Sequence, residues 1–113
     1  MNKTDYVLTL CAEYLNELNT NTRENYDYYP YFYSALIHKN LQCVDVNFKK
    51  ENDKSIKDYI IEIYNITNQK SENYLYKKHN KHSMHKAYGG NDAIDGYLAS
   101  LYHLQEMKNL LEF

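Results

Sequence analysis

A mainly α fold, a small bundle or orthogonal array of four to five short helices, is what this sequence predicts. Three observations predict it. Apolar residues recur with a 3.6-residue period over long stretches near the start, the middle and the end of the chain. One proline and three glycines among 113 residues leave few interruptions. The one alternating stretch, residues 43–48, is short and finds no second strand to pair with. The chain reads as a single domain, residues 1–113, long enough to bury ~60–70% of its unfolded surface.

Residues 4–18 predict the first helix. Val7, Cys11, Tyr14, Leu15 and Leu18 fall on one face, Thr4 is positioned to cap the start, and Asn19 to close the end. Pro30 disfavours helical dihedrals at Tyr29 and suits a first helical turn, so a second helix is expected from Pro30 to Lys39, with Phe32, Leu36 and Ile37 inward. Over 43–48, Val44, Val46 and Phe48 alternate with Cys43, Asp45 and Asn47, the pattern of a short strand or extended connector.

From Asp53 to Asn68, Ile56, Ile60, Ile63 and Tyr64 make a helical stripe opened by Asp53. The isoleucines keep a strand over 59–66 as its rival. Sixteen residues without Gly or Pro favour the helix. Ser71 is placed to cap a fourth helix running to Tyr88, closed by Gly89 and Gly90. The last helix opens at Asp92, with Asp95 three residues on, and Tyr97, Leu101, Leu104, Lys108 and Leu111 trace its inward side.

No apolar run approaches the ~18 residues of a membrane span, and no apolar leader follows Met1. With only Cys11 and Cys43, both in apolar contexts, the expectation is a soluble, cytoplasmic chain with free, buried thiols. The net charge of -2 is unevenly spread. Residues 1–31 carry Lys3 and Arg23 against Asp5, Glu13, Glu17, Glu24 and Asp27. Residues 70–88 carry five lysines against Glu72, and residues 89–113 carry Lys108 against four carboxylates. A basic middle lies between two acidic ends, a field able to steer a partner.

Fourteen residues are tyrosine and none is tryptophan. Tyr, Asn and Lys share A/T-rich codons, and the 14 Asn and 12 Lys match that bias. Codon bias does not account for the grouping of Tyr26, Tyr28, Tyr29, Tyr31 and Tyr33. Five neighbouring phenols would each need a buried hydrogen-bond partner inside a core. A segment that leaves part of them exposed beside Glu24 and Asp27 instead combines aromatic anchors with carboxylate steering. Glu24, Tyr26, Asp27, Tyr28, Tyr29 and Tyr31 are therefore the candidate contacts for a protein partner with a basic surface, such as a nuclease or toxin.

The competing feature is the run Lys77-Lys78-His79-Asn80-Lys81-His82-Ser83-Met84-His85-Lys86. Lys77, Lys78, His79, Lys81, His82 and His85 form a candidate phosphate or nucleic-acid patch, with Tyr74, Tyr76 and Tyr88 available for stacking. The acidic whole chain and its single arginine oppose that reading. His79, His82 and His85 lack a nearby carboxylate or cysteine, and the lysines repel a cation, so no metal is expected. The segment offers nothing to bury or tune a catalytic group. His38 and His103 lie on apolar-periodic stretches, where a hydrogen-bonded structural histidine is the commoner role. Gly89 to Asp92 lacks the lysine and spacing of a phosphate loop, and reads as a turn and cap. No catalytic residue and no cofactor is expected. The profile is that of a non-catalytic binding protein that occludes a partner's functional surface, an inhibitor of immunity-protein or anti-defence type.

Overall fold

The computed structural model describes residues 2–20, 29–80 and 92–113, with side chains described over 2–20, 29–70 and 99–113. Among the described residues there are four α-helices: α1 (Lys3–Thr20), α2 (Tyr29–Asn40), α3 (Ile56–Asn80) and α4 (Asp92–Leu111). No strand occurs among the described residues. Each helix packs mainly on two others, in the ring α1–α2–α4–α3 and back to α1. A ring of this kind lets each apolar stripe face one shared interior.

The stripe of α1 is buried as its spacing requires, with Val7, Cys11 and Tyr14 fully enclosed and Leu15 and Leu18 beside them. Its start is one turn-position earlier than expected. Asn2, not Thr4, is the cap: Asn2 Oδ1 accepts from the Asp5 N–H at 2.8 Å. Thr4 instead accepts from the Asp45 N–H at 3.3 Å, and the helix runs past Asn19 to Thr20.

Helix α2 begins at Tyr29, with Pro30 buried in its first turn, where a missing N–H costs nothing. Its inward side differs from the expected one. Phe32 and Leu36 are exposed, while Pro30, Ser34 and Ile37 are buried and Tyr29 and Tyr33 pack against the core. The tyrosines compete with the aliphatic residues for the inward stripe, and Tyr14 of α1 decides the contest by receiving both rings. A single 3-10 turn, Leu41–Cys43, follows, with Leu41 buried and Cys43 exposed. The expectation of two buried thiols thus holds for Cys11 alone.

Residues 44–55 form a clamp, not a strand. Val44 is extended, and Val44 and Val46 pack against the core while Phe48 is turned outward. Backbone groups here pair with helix ends. The Val46 carbonyl accepts from the Lys57 N–H at 3.0 Å, and Asp45 reaches Thr4. Lys50 Nζ lies 3.3 Å from Asp5 Oδ1. Asn52 takes φ 64 in the tight turn closed by Asp53 N–H to the Lys50 carbonyl, a left-handed position that asparagine tolerates.

Helix α3 is capped by Ser55, not by Asp53. Ser55 Oγ accepts from the Asp58 N–H at 3.1 Å, and Asp58 Oδ2 accepts in return from the Ser55 N–H at 3.4 Å, a reciprocal capping box. Ile56, Tyr59, Ile60 and Ile63 are buried, so residues 59–66 are helix. The expected boundary at Ser71 is absent, because α3 continues through it to Asn80. Nothing in residues 69–72 forbids the helix, since Ser71 is a cap only where the backbone already turns. Helix α4 begins at Asp92 as expected. Its described buried side is Ser100, Leu104 and Met107, with Leu101 and Lys108 half-buried at the margins. Glu112 at φ 59 and the Phe113 N–H bond to the Lys108 carbonyl close it in a left-handed cap.

Candidate protein-binding surface

Three sides of α2 do different jobs, because residues of one side recur every three or four positions. Tyr29, Tyr33 and Ile37 face α1 and the interior. The Tyr33 ring stacks on Tyr14 at 5.4 Å, and Tyr29 meets both rings edge-on at 6.4 and 6.5 Å. Phe32, Leu36 and Lys39 lie on the outer side, Phe32 at 59% and Leu36 at 39% exposure. Tyr31 and His38, two turns apart, turn toward α4.

Along the α2–α4 seam, aromatic rings run without a break. Phe32 meets Tyr31 at 5.8 Å, Tyr31 meets His103 at 5.6 Å, and His103 meets Tyr102 at 5.4 Å. Tyr102 is 64% exposed and Tyr31 39%. His38 lies against His103 at 5.1 Å, with its Nδ1 2.9 Å from the His103 Nδ1. One ring must donate and the other accept there. Partial burial, with the nearby His38 second, holds His103 below the ordinary histidine range.

The α1 margin is acidic. Tyr33 donates its hydroxyl to Glu13 Oε2 at 3.5 Å. Burial first, then the carboxylates of Glu13 and Glu17, push the Tyr33 phenol up from its usual value. The aromatic centre is thus Tyr31, Phe32 and Tyr102, and the carboxylates of Glu13 and Glu17 lie on the other, α1 side of α2, by Tyr33. Exposed aromatic rings beside charged groups are the chemistry of protein docking.

Of the six expected contact residues, Tyr31 stands on this surface and Tyr29 is half-buried against Tyr14. Glu24, Tyr26, Asp27 and Tyr28 lie outside the described residues. Sequence reasoning missed Phe32, which it turned inward, and Tyr102 with His103. Their signal was present: Tyr102 and His103 follow Leu101 on positions the α4 stripe does not use. Of the alternative anion patch, Lys77, Lys78 and His79 belong to the last turns of α3, while Lys81, His82 and His85 lie outside the described residues. Among the described residues, no group of three His, Cys, Asp or Glu side chains is placed to hold a metal ion. No described helix is long and apolar enough to cross a membrane.

Comparison with protein-family models, with curated proteins and with solved structures finds no match to this chain.

Proposed function

We propose that this chain is a small non-catalytic binding protein that covers the functional surface of a basic protein partner, as inhibitors of the immunity-protein or anti-defence type do. The observation that supports the reading is the unbroken row Phe32–Tyr31–His103–Tyr102, with two of its rings more than half exposed. Aromatic anchors of this size supply most of the affinity of a docking patch when a partner excludes water from them. Glu13 and Glu17 supply the steering charge on one flank, and the sequence adds Glu24 and Asp27 ahead of α2. An occluding protein acts by position, so none of its groups needs to be reactive. Cytoplasmic residence follows from the partner class, because a nuclease or toxin is neutralised where it acts.

The test compares the wild-type chain with the double variant Phe32→Ala, Tyr102→Ala as immobilised bait. The wild type should capture a basic protein at low salt, lose it progressively as salt rises, and block its activity in solution. The double variant should melt as the wild type does and capture nothing. Equal capture by both chains would reject this surface. Retention of the wild type on heparin at low salt would replace the reading with the phosphate-binding alternative carried by Lys77, Lys78, His79, Lys81, His82 and His85.

A further inference from the structure

We propose that His38 and His103 form a proton-operated latch between α2 and α4, closed while one of the two facing Nδ1 atoms is bare and released when both carry a proton. The geometry carries this. The two Nδ1 atoms are 2.9 Å apart, so a single proton occupies the space between them. The neutral pair satisfies that rule with one Nδ1–H donating to the other ring's lone pair. A pair with one added proton satisfies it too, since the imidazolium donates to the neutral ring and gains a charge-assisted bond. The second proton removes the acceptor. Two N–H groups then point at each other across 2.9 Å, and two positive rings face each other in a partly buried seam.

Among the described residues, no carboxylate forms an ion pair with either ring to absorb that repulsion. From α2 the neighbouring groups are the Tyr31 ring and Lys39, whose charge has the same sign; from α4 they are Tyr102 and, one turn on, Glu106. Glu106 makes no ion pair with either histidine, and the charge that acts on His103 is that of His38. Relief must come from rotation of a ring or separation of the helices. Either movement disturbs Tyr31 and Tyr102, because both pack on His103. The latch sits inside the proposed docking surface, so acid would rearrange that surface. Only this consequence for a partner rests on the binding reading; the latch itself does not.

The experiment is a histidine-resolved NMR titration of the full chain, with amide hydrogen exchange followed at Ile37, Leu41, Leu104 and Met107 and corrected for the intrinsic pH dependence. The pair should titrate in two separated steps, because protonation of one ring opposes protonation of the other across the 2.9 Å contact. Across that second step exchange at the four amides should accelerate at least about tenfold, and the Tyr31 and Tyr102 ring signals should shift with it. His103→Phe, which retains a ring against Tyr31 and Tyr102, should abolish the acceleration, and so should His38→Gln. A single shared step, or acceleration that persists in either variant, would overturn the latch. Should neither variant fold, the wild-type titration alone decides. A partner that binds equally at neutral and acid pH would count against the docking reading while leaving the two-step titration untouched.

Discussion

The Tyr59 hydroxyl donates to Asp53 Oδ1 at 2.8 Å, so a buried ring of α3 holds the tight turn that precedes its own helix. Asp53 is doubly engaged, since its Oδ1 also accepts from the Lys54 N–H at 2.7 Å. That backbone bond first, then the Tyr59 bond, draws the Asp53 carboxyl below its usual range. Burial first, then the bond to Asp53, pushes the Tyr59 phenol up to about 12. Both shifts favour the same bonded arrangement, in which the phenol keeps its proton and the carboxylate has lost it.

The pH dependence of that arrangement has a definite sign. A phenol whose folded pKa is raised stabilises the fold fully below its unfolded value of ~10 and loses that contribution as pH rises toward 12. A carboxylate whose folded pKa is lowered stabilises the fold above its ordinary value and loses that contribution on acidification. Ultraviolet titration should find Tyr59 ionising near 12. In Asp53→Ala the phenol should ionise at lower pH, though still above the ordinary value, because burial is the larger cause and remains. A phenol unmoved by the substitution would show that the bond does not form in solution.

Core burial in α4 separates two leucines three residues apart. Leu104 is 1% exposed at the centre of the ring of helices, whereas Leu101 is half-buried at its margin. Leu104→Ala should lower stability by about 2–5 kcal/mol, the cost of a cavity that its neighbours only partly close. Leu101→Ala should cost roughly half as much, because less of its surface leaves water on folding. Denaturant midpoints at unchanged slope measure both. Equal losses would place the inward side of α4 one position away from where Leu104 and Met107 put it.

Helices α1, α2 and α4 and the first part of α3 were legible because each carries an apolar stripe with few Pro or Gly to break it, whereas the continuation of α3 through Ser71 was not. Val7, Cys11, Tyr14, Leu15 and Leu18 lie inward as their spacing demands, and Ile56, Ile60 and Ile63 do the same. What periodicity does not settle is which of two overlapping stripes turns inward. In α2 the stripe through Tyr29, Tyr33 and Ile37 overlaps that through Phe32, Leu36 and Ile37, and local hydrophobicity favours the second. The decision is tertiary: Tyr14 on another helix offers a stacking partner to Tyr33. Caps are ambiguous for a similar reason. Thr4, Asp53 and Ser71 all have capping chemistry, but Asn2 and Ser55 stand where the backbone turns. The docking surface inherits the α2 uncertainty, and the His38–His103 contact joins residues 65 positions apart, beyond the reach of any local pattern.

The caps themselves can be weighed. Ser55→Ala removes the oxygen that accepts from the Asp58 N–H and leaves the first turn of α3 with an unmet donor. The expected loss is about 0.5–2 kcal/mol. Ser55→Asp should restore most of it, since a carboxylate accepts the same bond and favours a helix start. Thermal unfolding of the three chains at neutral pH measures the series. A Ser55→Asp chain no more stable than Ser55→Ala would show that the serine matters for its burial at the start of the core, not for its hydroxyl.

The two thiols give a clean contrast in reactivity. Cys11 is fully enclosed on α1, and burial pushes its thiol up to about 12, so almost no thiolate exists at neutral pH and no reagent reaches it. Cys43 ends the 3-10 turn after α2 and is exposed. A disulfide-exchange reagent at neutral pH should therefore modify one thiol promptly and the second only as the chain unfolds, with Cys43→Ser losing the fast phase and Cys11→Ser the slow one. Because the slow phase requires opening of the shared interior, its rate should rise in Leu104→Ala by about tenfold for every ~1.4 kcal/mol of stability lost. Fast modification of Cys11 in an otherwise native chain would mean that α1 is not sealed against α3.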